Sequence, residues 1–241
     1  MADRQIRTIL LVDSSASILF YLGMLLKRLE YKVATAQSAK DALRLMEETP
    51  PSIVLADPSL PDLRGVNFVK RIKESPRFKE IPVIILTSDV DPGVYDICMR
   101  MGCAAYLFKP VEPEALYRTL QAASESVPRA NIRLSTTLKV IVSDGSVMGG
   151  AKRTEYATAI SEGGLYVRTL QPQPRNALAS LRLFLNDKEI LAKAVVLYTC
   201  SVEGSIEEPG MGMKFVEISD SDRDLIRRFI KDQLTKDISS Q

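Results

Sequence analysis

The chain contains no histidine, which excludes imidazole general bases, imidazole metal ligands and phosphohistidine carriers together and leaves Asp, Glu, Ser, Lys and Tyr for any chemistry. Hydrolases built on a histidine triad go with them. Cysteine is scarce: Cys98, Cys103 and Cys200 form no CxxC pair and are odd in number, which predicts reduced, packed thiols and no zinc centre. Long apolar runs are also missing. The best candidate, Ala16 to Leu26, is broken by Tyr21 and closed by Lys27 and Arg28, too short for a hydrocarbon layer of about 30 Å, so no membrane insertion is expected. The opening Met-Ala-Asp-Arg-Gln-Ile-Arg lacks the apolar region and cleavage site of an export signal, and the expected location is the cytoplasm. Neither sign of charge is in excess. Sixteen basic residues are matched by sixteen acidic ones up to Ser126, sixteen by fourteen beyond it, for a net charge of +2. Neither half has the concentrated basic face that duplex DNA binding requires.

What is present divides into two textures. With 241 residues, 46% of them hydrophobic, there is room for one large or two ordinary domains. The first half alternates short β-branched runs with amphipathic helical windows, the signature of βα units around a parallel sheet. Strands are predicted at Thr8–Val12, Lys32–Ala36, Ile53–Ala56, Pro82–Leu86 and Ala105–Phe108. Ser38-Ala-Lys-Asp41 reads as a capping box, and Pro113 stands where a first-turn proline is tolerated. The polar segment Ser124-Glu-Ser-Val-Pro128 then marks a boundary, with domains expected at 1–126 and 127–241 and a hinge over about 124–134. Beyond it, Leu138–Val142, Glu155–Ile160, Leu165–Thr169, Leu181–Leu185, Ile190–Leu197 and Met213–Ile218 read as strands, with Asp144-Gly145, Gly149-Gly150, Gly163-Gly164 and Asn186-Asp187 as turn signals. This spacing predicts a small antiparallel β-barrel. Ser219-Asp-Ser-Asp222 caps a last helix with a stripe of Leu225, Ile226, Phe229 and Ile230.

In a doubly wound sheet, ligands bind at the carboxyl ends of the strands, near the point where strand order reverses. Asp13 ends the first strand, Asp57 the third, Thr87 the fourth and Lys109 the fifth. One edge therefore receives two carboxylates, a hydroxyl and an ammonium. Two carboxylates with a carbonyl and waters suit Mg²⁺, which holds a phosphoryl group against a carboxylate nucleophile. Read singly, each residue is a cap or a surface charge; together and in this order they point to an acyl phosphate on Asp57 whose oxygens meet Thr87 and Lys109.

These pieces resemble a response-regulator receiver domain of the flavodoxin-like, five-stranded type. The matching runs are Ile9-Leu-Leu-Val-Asp13, Ile53-Val-Leu-Ala-Asp57 with Leu60-Pro61 and Gly65, Ile81-Pro-Val-Ile-Ile-Leu-Thr87-Ser, and Ala104-Ala-Tyr106-Leu-Phe-Lys109-Pro110. The resemblance implies phosphorylation of Asp57 by a sensor histidine kinase, Mg²⁺ held by Asp13, Asp57 and the Ser59 carbonyl, and a cis peptide before Pro110. It also implies a Thr87/Tyr106 switch and pairing with a second copy through the fourth helix, fifth strand and fifth helix. Ser14 departs from the pattern: the family has an acid there, and a hydroxyl removes a full charge from a hard-cation site.

A second constellation follows the hinge. Arg129 and Arg133 stand four residues apart, and guanidinium offers paired donors both to phosphate and to the O6/N7 edge of guanine. Ser161 then precedes Gly163-Gly164 and a strand, a hydroxyl beside a tight turn that also reads as an ordinary hairpin. Together with Gly210-Met-Gly-Met-Lys-Phe215-Val and the last helix, these resemble a PilZ domain, a family that binds cyclic di-GMP through RxxxR and [DN]xSxxG. Here the motifs match at Arg129, Arg133, Ser161 and Gly164, while Ala159 replaces the Asp or Asn. The lost acceptor is worth about 1–3 kcal/mol.

The expected function is a non-enzymatic regulator with phosphoryl input at Asp57, messenger input at the two arginines and output through domain arrangement or protein contacts. The alternative is a scaffold in which Ser14 and Ala159 mark both sites as silenced.

Overall fold

The computed structural model describes residues 7–63, 65–89, 91–126, 128–143, 152–200 and 208–236. The predicted turns at Asp144-Gly145 and Gly149-Gly150 lie outside these residues. The chain forms two compact units, one reaching to Ala130 and the other covering Asn131–Gln233.

In the first unit β1 (Thr8–Val12), β2 (Lys32–Ala36), β3 (Ile53–Ala56), β4 (Val83–Thr87) and β5 (Ala105–Phe108) form a parallel sheet in the order β2-β1-β3-β4-β5. Helices α1 (Ala16–Arg28), α2 (Ala39–Glu48), α3 (Gly65–Glu74), α4 (Pro92–Arg100) and α5 (Pro113–Ser124) connect and follow the strands. All side chains of β3 and β4 are buried, as their unbroken apolar runs require of strands covered on both faces. Phe68, Val69 and Ile72 of α3 pack with Val54, Val83 and Ile85 in one core. Helix starts follow local chemistry. Ser15 caps α1, Ser38 caps α2 through the Asp41 N–H, and Pro113 occupies the first turn of α5. Asp62 adds a second cap to α2 by accepting the Ala39 and Lys40 N–H groups at 3.0 and 2.9 Å; these bonds lower its pKa. Strand order reverses between β1 and β3, so the chain places its crevice at the carboxyl ends of the two strands that carry Asp13 and Asp57.

The second unit is a closed antiparallel barrel, β10-β11-β8-β7-β6-β9, made of β6 (Leu134–Ser143), β7 (Lys152–Ser161), β8 (Gly164–Arg168), β9 (Leu178–Leu185), β10 (Lys188–Cys200) and β11 (Gly210–Ile218). Inward residues alternate along β6 and β9, with Leu138, Val140, Val142, Ala179, Leu181, Leu183 and Leu185 buried. Five of the six described strands run longer than predicted, and β8 keeps its length but starts one residue earlier. In β6 a break in register between Ser135 and Leu138 hides the alternation that continues back to Leu134. The β9–β10 turn is the predicted Asn186-Asp187 pair, with Asn186 at φ 51° and Leu185 facing Lys188. The last helix, α6 (Asp220–Thr235), starts where Ser219 accepts the Asp222 N–H at 3.1 Å. Ile226 and Ile230 of its apolar stripe are buried.

Candidate functional site

The cleft at the carboxyl edge of the parallel sheet is assembled by the backbone before any ligand is considered. Asp13 follows β1 and donates its own N–H to the Ala36 carbonyl at 3.1 Å; Asp57 follows β3 and donates to the Val12 carbonyl at 2.9 Å. The inner oxygen of each carboxylate is pinned by the next turn: Oδ1 of Asp13 accepts the Ser15 N–H at 2.8 Å, and Oδ1 of Asp57 accepts the Ser59 N–H at 2.6 Å. That leaves the two outer oxygens. Both are bonded to the same Lys109 Nζ, with the three side chains between 5% and 11% exposed. Lys109 is itself placed by a backbone bond from its N–H to the Thr87 carbonyl at 2.7 Å, and its peptide bond to Pro110 is cis. The sequence-predicted Asp13, Asp57 and Lys109 are thus brought together in one contact.

Two carboxylates and one ammonium leave the cleft with uncompensated negative charge in a nearly dry setting, where Coulomb terms are strong. The ammonium also shows that the two outer oxygens converge on a single cationic centre, which is the arrangement a hard cation requires. Ser14 is exposed beside them and brings no charge. Among the described residues no group of three or more His, Cys, Asp or Glu is placed to hold a metal ion, so a cation here draws on two carboxylates, backbone oxygen and water.

Thr87 closes β4 and is 1% exposed; its Oγ1 accepts the Asp89 N–H at 3.0 Å. Tyr106 of β5 is half-buried and stands edge-on to Tyr95 of α4, with ring centroids 5.2 Å apart, and to Phe108 at 5.5 Å. Burial raises the Tyr106 pKa, with smaller contributions from Cys98 and nearby aspartates, so the phenol stays neutral. Thr87 and Tyr106 therefore sit on adjacent strands, paired in register through Ile85–Tyr106 and Thr87–Phe108.

In the barrel unit, Ser161 and Gly164 face each other across the two-residue turn joining β7 to β8. Ser161 Oγ donates to the Gly164 carbonyl at 3.1 Å. Gly164 is required by close backbone approach: a Cβ there would overlap the Met213 carbonyl oxygen of β11. The turn is clamped from outside. Arg223 Nη1 of α6 donates to the Glu162 carbonyl at 2.7 Å, Arg227 Nη2 reaches Oε2 of Glu162 at 2.9 Å, and the Phe215 N–H binds the Gly163 carbonyl at 3.0 Å. Sequence reasoning missed this clamp because its partners lie 61 and 65 residues away. Ala159 sits within β7 opposite Ser135 and Tyr166 and offers no polar group. Arg133 is exposed at the entry to β6. Arg129 belongs to the first unit, where its N–H is accepted by Gln121 Oε1 at 3.2 Å.

A parallel sheet with paired aspartates and a lysine at its switch point, joined to a closed barrel, defines a two-part signalling protein. The response regulator receiver domain matches residues 9–121 and the PilZ domain matches residues 126–232, so the chain belongs to the response regulators and carries a C-terminal PilZ domain. It is 32% identical over 111 residues to the two-component response regulator ORR3 of Oryza sativa subsp. japonica, covering 46% of this chain and 85% of that protein. It is 33% identical over 111 residues to ORR7 of the same organism, again 46% of this chain but 53% of that protein's length. The solved structure of the Vibrio cholerae chemotaxis response regulator CheY4 matches 49% of this chain and 99% of that one, with 28% identity and a TM-score of 0.47. Receiver and PilZ domains are in general signalling and binding domains.

Proposed function

We propose that this protein accepts a phosphoryl group on Asp57 from a sensor histidine kinase and captures cyclic di-GMP with Arg129, Arg133, Ser161 and Gly164. The observation that supports the first input is the shared contact of Asp13 and Asp57 with Lys109. Asp13, Asp57 and the Ser59 carbonyl are the residues that would hold Mg²⁺. Bound there, the cation supplies positive charge against the phosphoryl oxygens. The chain's own residues do the rest. The outer oxygen of Asp57 is the nucleophile, since its inner oxygen is held by the Ser59 N–H. Lys109 neutralises the new charge, and Thr87 exchanges the Asp89 N–H for a bond to the acyl phosphate. That movement frees room beside Tyr106 and alters the face made by α4, β5 and α5. Tyr95, Met99 and Phe108 are exposed on this face, which supports pairing with a second copy.

The second input is supported by the preformed Ser161–Gly164 turn and the exposed Arg133. Neither function calls for DNA or a bilayer, and no helix among the described residues is long and apolar enough to cross a membrane. Calorimetry with cyclic di-GMP on wild type and Arg133→Ala tests the messenger input, with heat expected for the first and a large loss for the second. Equal heats, or none from either, would remove it. Beryllofluoride with Mg²⁺ tests the phosphoryl input, with shifts expected at Thr87 and Tyr106.

A scaffold with two silenced sites is the second reading. Its support is that Ser14 lacks the acid, and Ala159 the side-chain acceptor, of their family patterns. Silence in both experiments would establish it.

A further inference from the structure

Five polar or charged residues are buried among the described ones, and three of them, Asp13, Asp57 and Thr87, belong to the cleft. Thr169 is accounted for within the barrel by its bond to Glu155 at 2.9 Å. Gln121 remains. It lies on α5, is 1% exposed, and spends its carboxamide on two long-range partners. Nε2 donates to the Tyr31 hydroxyl at 3.0 Å, and Oε1 accepts the backbone N–H of Arg129 at 3.2 Å. Its own carbonyl accepts the N–H of Glu125, the residue that caps α5, at 2.9 Å, and Glu125 is in turn bridged to Arg7 Nε at 3.2 Å. The segment leaving α5 is therefore tied down at both ends, and all these residues lie in one unit.

A buried amide is costly unless both its donor and its acceptor are satisfied. An apolar residue of similar size would pack as well without that demand. What Gln121 adds over Leu is the bond to Tyr31 within the receiver core and, through its other atom, the hold on the Arg129 backbone. We propose that Gln121 is a positioning residue for the cyclic di-GMP motif: through Oε1 it fixes the main chain at Arg129, so that this guanidinium starts from a restricted set of directions. The inference rests on the messenger reading above. Restricting a ligand-binding segment beforehand lowers the ordering cost of binding, so loss of this restraint weakens capture. Receiver packing around Tyr31 and α5 would thereby set messenger affinity without touching the messenger.

The test uses the full chain and cyclic di-GMP. Gln121→Leu removes the hold on Arg129; Gln121→Glu keeps an acceptor for it, while the Tyr31 hydroxyl turns to donate. Tyr31→Phe removes the far bond and leaves the near one. Gln121→Leu is expected to raise Kd by about three- to tenfold, Gln121→Glu to return it towards wild type, and Tyr31→Phe to lower the melting temperature with Kd almost unchanged. Faster hydrogen exchange at the Arg129 amide should accompany the first variant alone. If Gln121→Leu melts lower yet binds as wild type does, Gln121 is only structural and the proposal fails while the messenger reading stands. It fails too if Tyr31→Phe shifts Kd equally, or if Gln121→Leu binds more tightly. A wild-type chain that gives no heat with cyclic di-GMP removes the messenger reading and this inference with it.

Discussion

The receiver cleft and the proposed messenger motif are built on opposite plans. In the cleft, every charged group is nearly buried, each carboxylate has one oxygen fixed by backbone, and the remaining oxygens share one ammonium. In the barrel, the turn that carries Ser161 is rigid because backbone and α6 hold it, whereas Arg133 projects into solvent. Each site departs from its family pattern at one side chain, but the consequences differ. At position 14 a serine stands in place of the family's acid, in a site whose neighbours already converge on positive charge, so the lost carboxylate would weaken the hold on a cation without reshaping the cleft. At position 159 an alanine stands in place of the family's Asp or Asn, so an acceptor that would read a base is gone and affinity would fall with the lost hydrogen bonds.

The sharpest break of this comparison is at Gly164. Gly164→Ala drives a Cβ into the Met213 carbonyl, and a loss of about 3 kcal/mol in barrel stability is expected from the forced backbone shift. Denaturant unfolding should show it, with the parallel-sheet unit unchanged. Next, Lys109→Met leaves Asp13 and Asp57 facing each other without a cation in a nearly buried site. Removing one partner of such a group costs about 3 kcal/mol, and added Mg²⁺ should recover part of the melting temperature. A cleft indifferent to Lys109 would show that its charges are solvated after all.

Restoring the missing acceptor is a gain-of-function test. Ala159→Asn should tighten cyclic di-GMP by about one to two decades if the neighbouring turn is already in its binding conformation. No change in a calorimetric titration would mean that the turn, however rigid, does not face the base. The smallest effect is alkaline. Burial, reinforced by Cys98, pushes the Cys103 thiol from 9.0 up to about 12. Folding thus keeps the thiol protonated where the unfolded chain ionises it. Its contribution is whole below pH 9.0 and is lost as pH climbs towards about 12. Denaturation midpoints from pH 7 to 10 should fall at the upper end, and Cys103→Ala should flatten that fall.

The sheet of the first unit is readable residue by residue because its strands are short apolar runs separated by helical periodicity. The edges of β1, β2, β3 and β5 coincide with those runs, and β4 is displaced by one residue since Pro82 cannot donate to a ladder. Asp13, Asp57 and Lys109 are legible for a related reason: chain order and sheet topology together bring strand ends to one place. The barrel strands are less legible at their ends, where register shifts in β6, β7 and β10 interrupt the alternation. Least legible are contacts made at a distance. Nothing local in Ser-Glu-Gly-Gly announces that two arginines of α6 will seize Glu162, and a glutamine near the end of α5 looks like any helix-surface amide until Tyr31 and Arg129 are seen beside it.

The closure of the barrel has a consequence for how this protein recruits others. Because its described strands close into a ring, most of their backbone is already paired, and strand addition is left only the stretches that overhang a neighbour, such as residues 134–139 of β6 on the side of β9. A partner of that domain would therefore rely mainly on side chains. Leu191 and Val216, both well exposed on the outer wall, give such a partner a greasy relief to grip.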